Sequence, residues 1–284
     1  MKTAFLMTAL TLLMVLFGQY FGGDTGMLVM LVISLGVNLF SYWNSDKLVL
    51  AQYHAREVDE ASAPGLIAIV KRLADKAGLP MPRVYIIDDQ VPNAFATGRN
   101  AEHSAIAVTT ALANALDRKE IEGVLGHEMT HIRNHDILTG TIAASMAGVI
   151  TTMSHFGLWF GGGRSRDNNN SGIVGLIMLL LAPLAASIIQ LSISRSREYK
   201  ADEGGGYLCG NPDYLASALV KIQNYASRRT MANASEATAH MFIIAPFSSK
   251  QLSSMFSTHP STEERVELLH KQAAEMRARG ELKE

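Results

Sequence analysis

Four stretches without a charged residue, 3–23, 25–45, 137–163 and 173–194, constrain this chain more than any other feature. Each is long enough to cross a hydrocarbon core as a helix, which takes about 20 residues at a rise of about 1.5 Å per residue. The composition agrees: 48% of the 284 residues are hydrophobic and only 18% charged, rich for a purely soluble protein. The pattern predicts four transmembrane helices arranged as two hairpins. Lys2 ahead of the first apolar stretch has the outline of a signal peptide, but only Asp24 parts that stretch from the second and no small-x-small cleavage site is evident. A retained hairpin is therefore the preferred reading.

This divides the chain into an N-terminal hairpin (1–45), a polar segment (46–136), a second hairpin (137–194) and a second polar segment (195–284). Lys2, Lys47 and Arg56 flank the first hairpin while the turn at Asp24 has no basic residue, and Arg195, Arg197 and Lys200 follow the second. Short-loop charge thus places both polar segments in the cytoplasm, as parts of a multi-pass inner-membrane protein. Arg164 and Arg166, in the loop between the third and fourth spans, run against this orientation but are outnumbered. The single cysteine, Cys209, permits no intrachain disulfide and fits a reducing compartment. A net charge of -1 without a basic, aromatic-rich stripe argues against nucleic acid as a partner.

The first polar segment reads as a compact α+β unit. Ser62 to Ala77 has the period of an amphipathic helix, with Leu66, Ile69, Val70 and Leu73 on one face and Gly78 and Pro80 as stop signals. Arg83 to Ile87 and Ser104 to Val108 read as strands of a small sheet. Between them, Asn93-Ala94-Phe95-Ala96-Thr97 reads either as an edge strand able to hold an extended peptide by main-chain pairing or as an ordinary sheet edge.

The chemistry is concentrated in His127-Glu128-Met129-Thr130-His131. Asp117 with Glu120 forms a capping box, and Ile121, Val124, Leu125 and Ile132 continue at helical spacing, so the motif lies on a helix. Two histidines four apart then share one face and can converge on a zinc ion, with Glu128 beside an open coordination position. Such a site needs a third protein ligand. Glu198 and Asp202 share a helical face after the second hairpin; a carboxylate ligand with a second carboxylate behind a metal-bound imidazole makes chemical sense, but taken alone the pair reads first as a solvated charged helix end.

His127-Glu128-x-x-His131, a hairpin, then Glu198-Tyr199-Lys200-Ala201-Asp202 resemble the membrane metallopeptidases of the HtpX family, relatives of the CAAX prenyl protease. Asn93-Ala94-Phe95-Ala96-Thr97-Gly98, His240-Met241-Phe242-Ile243 and Thr258-His259-Pro260 through Arg265 are similar to segments of that family in the same order, covering nearly the whole chain. The resemblance implies a mainly α membrane protein with a cytoplasmic zincin-like (gluzincin) catalytic domain. It implies one zinc ion per chain held by His127, His131 and Glu198, Glu128 as the catalytic carboxylate, and Asp202 supporting His127. It also implies polypeptide substrates, misfolded or damaged membrane proteins among them, cut by metal-activated water. Glu203-Gly204-Gly205-Gly206 is unusually glycine-rich and leaves the length and rigidity of the Asp202 helix open.

For His259 the resemblance suggests donation to a tetrahedral oxyanion, and for Arg265 substrate binding or bracing of the site. The competing reading is that His259-Pro260 only turns the chain into a helix capped by Ser261 and Glu264. His135, about 12 Å along the helix from His127, is too far to share its metal and reads as polar packing. Two other functions compete with a membrane-adjacent peptidase. An intramembrane protease is disfavoured by Glu120, Glu122, Arg133, Asn134 and Asp136 on the motif helix, and a non-catalytic metal-binding scaffold would have no use for Glu128.

Overall fold

The computed structural model describes residues 2–142, 194–226 and 260–283. The expected third and fourth spans beyond 142 and before 194, the 240–243 segment and His259 lie outside the described residues.

Helix α1 (Lys2–Gln52) reverses direction at Gly23, whose φ of 57° and ψ of -147° are open to glycine at little cost. On either side of the turn Gly18 and Gly26 approach so closely that a Cβ on either would strike the carbonyl of the other. Farther from the turn, Asn38 Nδ2 donates to Thr11 Oγ1 at 2.8 Å and to the Met7 carbonyl at 3.2 Å. Ser34 and Ser41 are buried, whereas Phe5, Leu12, Leu16, Val32 and Leu39 face outward. Polar groups inside and large apolar side chains outside invert the pattern of a soluble helix pair and suit a lipid solvent. Both halves of the hairpin are long and apolar enough to cross a membrane.

The second half of α1 continues into the polar domain with one kink, at Asn44. There the Trp43 carbonyl accepts from Arg99 Nη1 at 3.1 Å, and the Arg99 guanidinium lies 5.6 Å from the centre of the Trp43 ring. Past the kink, Asp46 pairs with Arg83, and Val49 and Leu50 pack on the sheet.

The sheet consists of β1 (Arg56–Val58), β2 (Arg83–Ile87), β3 (Ala94–Gly98) and β4 (Ser104–Thr109) in the order β1-β2-β4-β3. β2 and β4 are parallel and the outer pairs antiparallel, which leaves β3 at an edge. Strand periodicity sorts the side chains: Phe95, Ala105 and Ala107 meet the end of α1, while Ala94, Ala96, Ile106 and Val108 meet the main core. Helix α2 (Pro64–Ala77) begins two residues later than the periodicity suggests, because Pro64 suits the first helical turn and Ser62 is tied to Asp59 in a turn. Gly78 closes it in the left-handed conformation.

After the short α3 (Thr110–Ala115), the metal-motif helix α4 (Arg118–Arg133) starts on the expected capping box. Asp117 accepts from the Lys119 and Glu120 N–H groups, and Glu120 accepts from the Asp117 N–H at 2.9 Å. Its acidic residues turn inward rather than to water: Glu120 meets Ser217 and Lys221 at 2.6 and 2.7 Å, and Glu122 pairs with Arg72 at 2.5 Å. Helices α5 (Arg195–Cys209), α6 (Pro212–Ala226) and α7 (Thr262–Ala278) complete the described domain.

The glycine-rich run lies inside an unbroken α5 and is explained by packing. A Cβ on Gly205 would lie 2.7 Å from the His127 nitrogen, and one on Gly126 would lie 3.0 Å from the Gly205 carbonyl. Only side-chain-free backbone lets α4 and α5 approach this closely, and that approach brings Glu198 and Asp202 to the histidines.

Candidate metal centre

His127 and His131 lie one turn apart on α4, with their rings edge to face and Nε2 atoms 3.1 Å apart. Glu198, from the first turn of α5, places Oε2 3.8 Å from His127 Nε2 and Oε1 3.6 Å from His131 Nε2. The ligand atoms of the three residues all lie within 4.8 Å of one another. A tetrahedral zinc with bonds of about 2.0–2.1 Å sets neighbouring ligand atoms about 3.3–3.4 Å apart, close to the separations found here. Two imidazoles and a carboxylate are also a donor set that zinc accepts, so the residues fit the ion.

The surroundings favour a cation as well. Burial opposes protonation of His131, yet Asp136, Glu198 and Glu128 outweigh it and raise its pKa to about 9. Glu128, only 6% exposed, is raised by burial against the pull of both imidazoles. Its Oε2 accepts the Ala96 N–H at 2.8 Å. That N–H points away from β4, on the outer edge of β3; two residues on, the Gly98 N–H of the same edge meets Thr141 Oγ1 at 3.2 Å. Of the segment Asn93, Ala94, Phe95 and Ala96, Ala96 meets the metal helix directly, whereas Asn93 lies just before β3 with its backbone N–H and carbonyl both bonded to Thr109.

Behind His127, Asp202 Oδ1 is 2.8 Å from Nδ1, and Arg265 forks onto Asp202 through Nε and Nη2 at 2.7 and 2.6 Å. Burial alone would raise the Asp202 pKa, but the Arg265 charge and hydrogen bonds hold it below the usual carboxylate range. Arg265 is 1% exposed, so it stands behind the histidine and away from any surface a substrate reaches first.

Sequence reasoning missed Asp136 and Arg197. Asp136 Oδ2 lies 3.4 Å from His131 Nδ1, and Arg197 Nη1 lies 3.4 Å from Asp136 Oδ1. The overlooked signal is the end of α4. His135 adopts a left-handed φ of 58°, its N–H donates to the Ile132 carbonyl, and the Asp136 N–H returns to the His131 carbonyl. This is a Schellman stop, with histidine where glycine is usual. His135 is exposed and closes the helix; the expected polar packing is absent.

A sequence model of the family described as Peptidase family M48 matches residues 60–273. A Protease HtpX homolog of Campylobacter curvus (strain 525.92) is 53% identical over 283 residues, covering 98% of this chain and 99% of the relative. A Protease HtpX homolog of Burkholderia mallei (strain SAVP1) is 50% identical over 267 residues, 93% of this chain and 94% of the relative. Among solved structures, S. mikatae Ste24p has a similar fold, with a TM-score of 0.53 at 20% identity over 94% of this chain. The chain spans 64% of that protein's length.

Proposed function

The chain belongs to peptidase family M48 and is a membrane metalloprotease of the HtpX type; from that premise we propose that His127, His131 and Glu198 hold one zinc ion and that Glu128 is the general base for peptide hydrolysis. The observation that carries this reading is the meeting of the three ligand atoms beside Glu128, itself bonded to an edge strand. Zinc held there supplies Lewis acidity, acidifying water toward a pKa of about 7 and polarising a carbonyl.

The chain's own groups do the rest. Glu128 takes a proton from water at Oε1, since Oε2 is engaged by Ala96, and delivers it to the departing amine. Burial, by raising its pKa, makes this carboxylate a stronger base. Residues Asn93 to Ala96 bind the substrate as an added strand, which lays a scissile bond alongside Glu128. Asp202 orients His127, and Arg265 acts through Asp202, since its burial speaks for bracing over substrate contact. His259 as oxyanion donor rests on the family resemblance.

The substrates are misfolded or damaged membrane and membrane-adjacent proteins, cut at the cytoplasmic face of the bacterial inner membrane. The substrate class rests on the family resemblance, and the cytoplasmic, membrane-adjacent site is supported by the basic flanks of the first hairpin and the continuity of α1 from that hairpin to the sheet. The test is to purify the full chain in detergent, measure bound zinc, and compare cleavage of an unfolded polypeptide by wild type and Glu128→Ala. Zinc in both with cleavage only by wild type is expected; equal cleavage rejects the mechanism, and zinc without cleavage in either points to a metal-binding scaffold or to a narrow substrate range.

A further inference from the structure

We infer that Asp136 and Arg197 are a second pair of positioning residues, which orient His131 and lock the end of α4 to the start of α5. The inference rests on the reading of His127, His131 and Glu198 as the zinc site. A histidine that binds metal through Nε2 carries its proton on Nδ1, and the group that accepts this proton sets both tautomer and ring rotation. His127 has Asp202 in that place, backed by Arg265. His131 has Asp136, 3.4 Å away, backed by Arg197 at 3.4 Å. The order of groups, imidazole, carboxylate and guanidinium, is the same behind both rings.

The two pairs are built in different ways. Asp202 and Arg265 meet across 63 positions of sequence and are 5% and 1% exposed at their side chains. Asp136 reaches His131 through the local turn at His135, and its partner comes from 61 positions away. Arg197 directly precedes Glu198, and Asp136 follows α4 by three residues. The Asp136–Arg197 pair therefore fixes the distance between the elements that carry His131 and Glu198, at the two points flanking 137–194. With side chains 14% and 22% exposed, it is the wetter and weaker of the two braces.

The full-length protein in detergent decides this through Asp136→Ala, Asp136→Asn, Arg197→Gln and the double variant Asp136→Ala/Arg197→Gln. Zinc affinity is read by competition with a chromogenic chelator, ligand geometry by the visible absorption of the cobalt(II)-substituted protein, and folding by helical circular dichroism of the metal-free form. Asp136→Ala is expected to weaken zinc binding about 10- to 100-fold and to shift the cobalt bands, with helix content retained. Asp136→Asn should lose less, because its amide oxygen still accepts the Nδ1 proton. Arg197→Gln should weaken binding alone but add nothing once Asp136 is alanine, since it acts through that carboxylate. Wild-type affinity in folded Asp136→Ala overturns the inference, as does an additive loss in the double variant. Where Asp136→Ala does not fold, unchanged affinity in the near-isosteric Asp136→Asn overturns it. A folded wild type that takes up no zinc overturns the triad itself, a result distinct from intact zinc binding with indifferent Asp136 variants.

Discussion

Ala96 donates its backbone N–H to Glu128 Oε2 at 2.8 Å, so the outer edge of β3 and the carboxylate of the metal motif form one hydrogen-bonded unit. The strand residue and the helix residue are 32 positions apart.

Glu128→Gln separates the two roles of this carboxylate. The amide oxygen still accepts the Ala96 N–H, but the side chain no longer takes a proton at neutral pH. Turnover of an unfolded polypeptide should fall on the order of 10²–10⁴-fold, the range for loss of a general base. Zinc content and melting temperature should stay at wild-type values, as measured by metal analysis and thermal denaturation.

Arg265→Ala tests whether this residue braces the site or touches substrate. Removing it leaves the buried Asp202 carboxylate without its guanidinium, a loss that costs about 3–5 kcal/mol when one partner of a buried pair is deleted. Melting temperature and zinc affinity should both fall, with Arg265→Lys intermediate. A raised KM on unchanged stability and zinc binding would assign it to the substrate instead.

Gly205→Ala probes the close crossing of α4 and α5. A methyl group there stands 2.7 Å from the His127 nitrogen and 2.9 Å from its Cα, and both are backbone atoms that cannot swing aside. The helices must part, at a cost of about 1–3 kcal/mol or more. Zinc affinity should weaken along with stability, because the same crossing sets the distance from Glu198 to the histidines. Gly36→Ala, with open space around it, serves as the control: zinc affinity should stay at the wild-type value and stability should not fall.

Cys209 gives a pH signature independent of the metal. Burial pushes its thiol up from 9.0 to about 11. The unfolded chain releases this proton first, so the contribution to stability is fully present below about 9 and is lost as pH rises through about 11. Denaturant titrations at increasing alkalinity should show wild type losing more stability across this window than Cys209→Ala. At pH 8, alkylation of the thiol should be slow in the native protein and fast in denaturant.

The first two hydrophobic runs, the capping box before α4, strands β2 and β4 and the residue types of the candidate ligands were legible because each is a local pattern. Asp117 with Glu120 announces a helix start within four residues, and His127 with His131 share a face wherever that helix lies. The glycines after Asp202 were harder to read, since helix propensity counts them as weaknesses. Their use emerges only opposite Gly126 and His127, where missing side chains permit contact. Asp136 was passed over because its route to His131 runs through a left-handed histidine, a conformation that glycine ordinarily signals.

By itself the sequence determined that this chain begins with an apolar hairpin and carries a capped helix presenting two imidazoles and a glutamate, and a later helix offering carboxylates. Those follow from spacing and composition, which act over a turn or a strand. Tertiary structure alone decided that Arg265 faces Asp202, that Arg197 faces Asp136, and that Ala96 holds Glu128. These pairings join residues 32 to 63 positions apart and depend on how closely α4, α5, α7 and β3 approach, which side-chain volume at the crossings controls.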